Sequence, residues 1–464
     1  MISHSPSNSR ATKGQNQVLL GYYKCPEEFG ELEFSGQLSG EEGYFQFGAG
    51  TLCYGRCQAV KVASDPSGPL FDARDAVEIE QGAVSLPFDL AEIVNNLRTE
   101  RYAAVADASN SSRMFNLLKH DVYYMLRPWM PAPVRRLCQR AYLRGWNRLR
   151  FPQWPVDCTV DTILEDSLIL CMRAQRISSV PFIWFWPEGA QSCALMTHDV
   201  ETHAGLVSCR ELMALDASFE IRSSFQFVPE DRYLVSGEFL DELRGHGFEV
   251  NVQDLNHDGD LFRDREEFLR RANRINEYLR RFGAKGFRSA IMYRNAEWLG
   301  AIEASYDMSF PNVAHLEPQR GGCCTVMPYF IGKLLELPLT AIQDYSLFHI
   351  LGESSINLWK QQIELVRKKN GLVSFIVHPD YLTGEREVAL YKSLLTHLCQ
   401  LRGNNHIWIA LPGEIDEWWR ARSQMELILQ NGEWCIEGEG SERARIAYAT
   451  IANDRLAYSF RTNC

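Results

Sequence analysis

No run of apolar residues in this sequence approaches the ~20 needed to cross a bilayer. The longest, VPFIWFW at 180–186, is stopped by Pro187. Positive charge is not in excess either: 48 Lys and Arg stand against 59 Asp and Glu, a net charge of −11. Without a basic surplus little can displace counterions from a phosphate backbone, which argues against unspecific nucleic-acid binding. The 13 cysteines are odd in number and scattered from Cys25 to Cys464. Only Cys53 with Cys57, and Cys323 with Cys324, lie close together. Neither pair has zinc-ribbon spacing, so no structural metal site is expected from these four. Residues 1–17 are polar and lack the apolar stretch of a signal peptide. The expectation is a cytoplasmic protein with free thiols, no membrane span and no nucleic-acid partner.

What remains is globular in proportion, with 45% hydrophobic and 23% charged residues. Residues 1–15 read as a disordered tail from their Ser and Asn content. Residues 16–109 carry short strand-like runs broken by Gly and Pro, such as FQFGAGTLCYG, and read as a small β-rich domain. Residues 110–179 are basic and aromatic with helical periodicity, and read as a helical connector. From 180 to 415 strand-like runs alternate with helical ones. CALMT (193–197), SFQFV (224–228), FEVNV (248–252), GFRSA (286–290), LVSFIV (372–377) and HIWIAL (406–411) are the strands. Between them, Phe268, Ala272, Ile275, Leu279 and Phe282 recur at helical spacing before Gly283. Such alternation predicts an α/β fold of parallel units, of a size that suits a barrel. Residues 416–464 read as an antiparallel β appendage with a hairpin turn at Asn431-Gly432.

In parallel architectures the C-terminal ends of strands carry the chemistry. His198-Asp199-Val200-Glu201 follows the first run, and Gln253-Asp254-Leu255-Asn256-His257-Asp258 follows the third. Arg288 lies within the fourth, and His378-Pro379-Asp380 follows the fifth. Carboxylates with imidazoles suit a divalent metal of the zinc type. A metal, a free carboxylate and a distant His suit metal-assisted hydrolysis.

Taken in order, LMTHDVE (195–201), SFQFVPE (224–230), GHGFEVNVQDLNH (245–257), FRSAIMY (287–293), ELPLTAIQDYSLF (336–348) and IVHP (376–379) resemble the motifs of the NodB-homology polysaccharide deacetylases, carbohydrate esterase family 4. The resemblance covers about 190–415. It implies a distorted (β/α) barrel flanked by β-rich regions, and a metal-dependent hydrolase that removes acetyl from an N-acetylated glycan. It implies Asp199 as the base, Arg288 as its partner, His378 as proton donor to the leaving amine and Asp344 as the group steadying His378. Glu201, His257 and Gln253 fall at the metal-ligand positions, with zinc the expected ion, and the backbone at Ile291 falls on the oxyanion side. Gln253 departs from the motif, which has His there, and amide oxygen is a poor zinc ligand beside imidazole. His198 or Asp254 could fill the gap. His203 reads as an exposed loop residue. Two other readings stay open: a carbohydrate-binding protein on a degenerate deacetylase scaffold, and an assembly factor for envelope polysaccharide whose flanks recruit partners.

Overall fold

The structure is a computed structural model and describes residues 16–34, 37–58, 62–80, 82–103, 132–404 and 406–460. The expected tail at 1–15, and the expected connector from 110 to 131, lie outside the described residues. The chain divides into two compact units, each discontinuous in sequence.

The first unit draws on 1–102, 158–190 and 417–464. The run at 180–186, expected at the start of the barrel region, belongs here. Strand Ser179–Ile183 pairs antiparallel with Ile446–Ala452, which pairs in turn with Arg455–Phe460. The hairpin at 426–437 forms as its turn residues require, with Asn431 and Gly432 both at positive φ.

The second unit, 103–157 and 191–416, holds the candidate site. Its strands are β1 (Cys193–Val200), β2 (Ser224–Phe227), β3 (Glu249–Gln253), β4 (Gly286–Arg288), β5 (Tyr306–Asp307), β6 (Tyr329–Ile331), β7 (Leu334–Glu336), β8 (Leu372–Ile376) and β9 (Trp408–Ile409). They lie in the order β6-β7-β5-β4-β3-β2-β1-β8, with β9 also on β1. Every pairing is parallel except β6 with β7. Every residue of β1 is buried, as a central parallel strand covered on both faces requires. The sheet curls. Beyond β7 an irregular stretch bridges toward β8: Asn312 N–H donates to Leu339 O (2.7 Å), Ala341 N–H to Ser374 O (3.1 Å) and Ser374 N–H to Thr340 Oγ1 (2.9 Å).

The helices between strands follow local signals. α1 (Ala132–Tyr142) precedes the sheet, α2 (His203–Ser218) follows β1, and α3 (Gly237–Gly245) follows β2. α4 (Arg265–Phe282) starts where the Asp264 carboxylate caps Glu267 N–H and ends at Gly283, φ 59°. Its acidic first turn and basic last turn complement the helix dipole, and Phe268, Ala272, Ile275, Leu279 and Phe282 are its buried stripe. α5 (Asn357–Lys368) and α6 (Glu385–Gly403) flank β8.

Candidate active site

Parallel strands bring their C-terminal ends to one edge of the sheet, and the strand-end residues gather there in two layers. The deeper layer is fully packed. Arg288, the last residue of β4, is completely buried. Its Nη1 donates to Asp199 Oδ1 and to Thr197 Oγ1, both at 2.7 Å, and its Nε to Met308 O at 3.0 Å. Gln253, the last residue of β3, donates from Nε2 to the other Asp199 oxygen at 3.2 Å. Both carboxylate oxygens of Asp199 are therefore occupied, and its exposure is 3%. Gln253 Oε1 is buried without a hydrogen-bond partner.

The outer layer lines a cleft of about 230 Å³. Glu201, His257 and His378 lie in it, with Glu317, Tyr345 and Tyr381 among the walls. Glu201 sits between β1 and α2. His257 Nε2 lies 2.9 Å from Glu201 Oε1, and His378 Nε2 lies 3.6 Å from the same atom. Tyr381 donates its hydroxyl to Glu201 Oε2 at 3.4 Å. The other face of His378 is fixed by Asp344: Nδ1 to Oδ1 is 2.6 Å, and His378 backbone N–H donates to Oδ2 at 2.8 Å. Asp380 accepts from Glu201 N–H at 3.1 Å and from the Thr202 hydroxyl, fixing the turn into α2.

The turn after β3 requires left-handed backbone at Asp254 (φ 51°) and His257 (φ 57°). It is held by Asp254 N–H on Arg288 O (2.8 Å) and by Arg232 Nη2 on His257 O (2.6 Å). Ile291 also lines the cleft with φ 60°, a costly conformation for a β-branched residue and so a mark of local constraint.

The charges of the outer layer sustain each other. Burial pushes the Glu201 carboxyl up, but the charges of His257 and His378 and the bonds from them outweigh it and hold it well below the usual range. Burial pulls His378 down, but Asp344 and Glu201 outweigh that and raise it well above an ordinary imidazole. His257 is raised by Glu201 against the same burial. Glu201 is thus shifted toward its ionised form, and His257 and His378 toward their protonated forms, each against its own burial.

The expected site residues come together, though not at one depth. Glu201, His257, His378 and Asp344 form one connected chain at the cleft. Asp199, Arg288 and Gln253 form a second, beneath it. His198 cannot replace a ligand: its nitrogens are 2.8 Å from Val377 O and from Asp216 Oδ2, the latter also bound by Ser223 and Tyr391. Asp254 Oδ1 caps the N–H of Leu255. His203 is exposed at the start of α2. Cys53, Cys57, Cys323 and Cys324 are buried thiols outside any disulfide, one pair in each unit.

The donor set does not fit a zinc-type ion. Among the described residues no three His, Cys, Asp or Glu side chains are placed to hold a metal. The expected set offers one carboxylate and one imidazole, which pair with each other, and an amide whose NH2 is turned to Asp199. Zinc sites ordinarily take at least three ligands from Cys, His and carboxylates.

Residues that sequence reading did not single out are Tyr345, Tyr381, Glu317 and Gln343, and the end of α1. Gln343 and Tyr345 lie inside the ELPLTAIQDYSLF motif. Glu317 carried no signal.

No protein-family model matches the sequence, and no curated protein matches it. Among solved structures, the chain is similar to a protein of Mycobacterium smegmatis assigned as a polysaccharide deacetylase, at 17% identity and TM-score 0.42 over 54% of this chain and 98% of that one. It is similar to the allantoinase PuuE at 11% identity and TM-score 0.38, over 51% of this chain and 92% of that one. A Bordetella bronchiseptica protein assigned as a polysaccharide deacetylase of O-antigen biosynthesis matches at 15% identity and TM-score 0.31, over 50% and 86%. At these values the functional reading rests on the site itself.

Proposed function

We propose that the cleft is the active site of a hydrolase that removes the acyl group from an N-acylated sugar of a glycan or glycan precursor, on a distorted (β/α) barrel of the NodB-homology type. The observation that carries this reading is the His378–Asp344 pair, whose Nε2 faces the cleft beside an ionised Glu201. Amide hydrolysis stalls unless the departing nitrogen receives a proton. An imidazolium held through Nδ1 turns its Nε2 proton to the cleft, on the side where Glu201 lies 3.6 Å away.

The roles follow from position. Water adds to the acyl carbon as Glu201 accepts its proton. The C–N bond breaks as His378 delivers its Nε2 proton to the amine, leaving a carboxylic acid and a free amino sugar. His257 holds Glu201 in place. The oxyanion side is assigned to the backbone at Ile291, at the cleft wall. Asp199, Arg288 and Gln253 support this layer from below, and Asp199 acts as a positioning residue rather than as the base. Because the donor set does not fit a zinc-type ion, no step is routed through a metal.

One observation favours a second reading, a sugar-binding site without turnover. Gln253 occupies an Asp199 oxygen, which keeps that carboxylate from reacting groups. Acetate release from a panel of N-acetylated hexosamines and oligomers, run beside ligand-observed NMR, separates the two. Release lost in His378→Asn but not in an exposed-surface variant supports the hydrolase. Binding without release supports the binder, and neither removes both.

A further inference from the structure

Resting on that reading, we propose that Asp380 is a positioning residue that couples the base to the acid, tying the turn that carries Glu201 to the turn that carries His378. The two groups stand on different elements, one after β1 and the other after β8. The paired register of these strands ends at Thr197 and Ile376, before either group. The ladder by itself therefore does not set the 3.6 Å between Glu201 Oε1 and His378 Nε2. Asp380 lies just past His378, in the short turn Pro379–Tyr381. Its Oδ2 accepts from Glu201 N–H at 3.1 Å, and its Oδ1 accepts from the Thr202 hydroxyl. Thr202 in turn caps α2 by accepting from Gly205 N–H at 3.3 Å. The same short turn is closed by Tyr381 N–H on His378 O at 3.1 Å, and it sends the Tyr381 hydroxyl to Glu201 Oε2. One turn thus grips Glu201 by backbone and by side chain.

The first turn of α2 is shaped for this carboxylate. A Cβ on Gly205 would lie 2.6 Å from Asp380 Cγ and 2.7 Å from Oδ1, closer than side chains pack. Glycine within a helix is otherwise a cost relative to alanine. Here it leaves the space that Asp380 fills, at the end of α2 whose dipole favours an anion. The chemistry makes such placement matter, since a misplacement of ~1 Å can cost ~10²-fold in rate. An amide can do the same work as the carboxylate: in Asp380→Asn, Oδ1 can accept from Glu201 N–H while Nδ2 donates to the Thr202 hydroxyl. Alanine can do neither.

The test uses the full chain with Asp380→Ala, Asp380→Asn and Gly205→Ala, and acetate release from an N-acetylated hexosamine. Urea denaturation gives the folded fraction of each variant, and rates are expressed per folded molecule. Asp380→Ala and Gly205→Ala should each lower kcat by roughly 10–100-fold with KM within about threefold of wild type. Asp380→Asn should keep kcat within about threefold. Gly205→Ala raises intrinsic helix propensity, so a loss there does not come from a weaker helix. Amide exchange at Tyr381 should also quicken at least about tenfold in Gly205→Ala, although the substitution lies on α2. Wild-type kcat in both alanine variants overturns this inference and leaves the hydrolase reading standing. So does an asparagine variant as slow as the alanine one, or unchanged exchange at Tyr381 in Gly205→Ala. No acetate release from wild type removes the hydrolase reading and this inference with it.

Discussion

The buried pair of Arg288 and Asp199 gives the sharpest physical test of the site's architecture. Their side chains are 0% and 5% exposed, and the guanidinium reaches Asp199, Thr197 and Met308 at once. In Arg288→Met the carboxylate stays buried with only the Gln253 amide, 3.2 Å away, as a side-chain donor. Removing one partner of a buried ion pair costs ~3–5 kcal/mol, mainly because the other charge is stranded. At ~2–4 °C per kcal/mol for a unit of this size, the transition should fall by roughly 6–20 °C. Asp199→Asn alone strands the cation and should cost a similar amount. The double variant leaves neither charge and should cost clearly less than the two added together, a coupling of ~2–3 kcal/mol. Arg288→Lys keeps the charge, but a compact ammonium cannot replace the planar fork, so its cost should fall between. Urea denaturation measures the energies, and amide exchange at β1 and β4 localises the loss. An Arg288→Met cost below ~1 kcal/mol, or additive single effects, would refute the claim that one buried pair supports the cleft.

Other predictions follow from the outer layer and its surroundings. His378→Asn and Glu201→Gln should each lower acetate release by ~10²–10⁴-fold while sugar binding persists, read by NMR; unchanged turnover in either removes that residue's role. Gln253→Leu strips one Asp199 oxygen of its amide donor, so stability by urea denaturation should fall by ~1–3 kcal/mol, and an unchanged midpoint would mean that the amide does not hold that oxygen. His315, buried against Trp154, has its pKa lowered to about 4, by burial first and then by Arg320. The unfolded chain takes this proton near pH 6.5, before the folded one does, so stability is full above pH 6.5 and falls as pH drops toward 4, by ~3 kcal/mol at most. His315→Phe should flatten that part of the stability–pH curve, and an unchanged slope would assign it elsewhere.

Much of the site was legible because parallel strands repeat one rule. Reading the ends of CALMT, FEVNV, GFRSA and LVSFIV led to the residues that gather at one edge. Strand alternation also explains His198. In β1 it points opposite to Asp199, so it meets Asp216 beneath α2 and not the cleft. Depth was not legible. Asp199 and Glu201 share a face two residues apart, but the strand end falls between them. One is sealed by Arg288 and Gln253, and the other reaches the cleft. The partner of Gln253 was equally hidden, since spacing gives a position and not the direction of an amide. The bonds from α1 to Pro318 and His349 span 176 and 209 residues in sequence, which no local pattern encodes.

The pairing of Ser179–Ile183 with Ile446–Ala452 has a practical consequence for anyone cutting the chain. A fragment spanning 180–415 keeps the apolar ribbon at 180–186 and discards the strand that bonds to it. Phe182, Trp184, Phe185 and Trp186, all buried in the whole chain, would then be left without that cover. An uncapped ribbon of this composition recruits other chains through its free backbone groups. Such a fragment should precipitate even when its sheet is sound, and its insolubility would say nothing about the cleft. Fragment design should therefore treat 179–190 and 417–460 as inseparable.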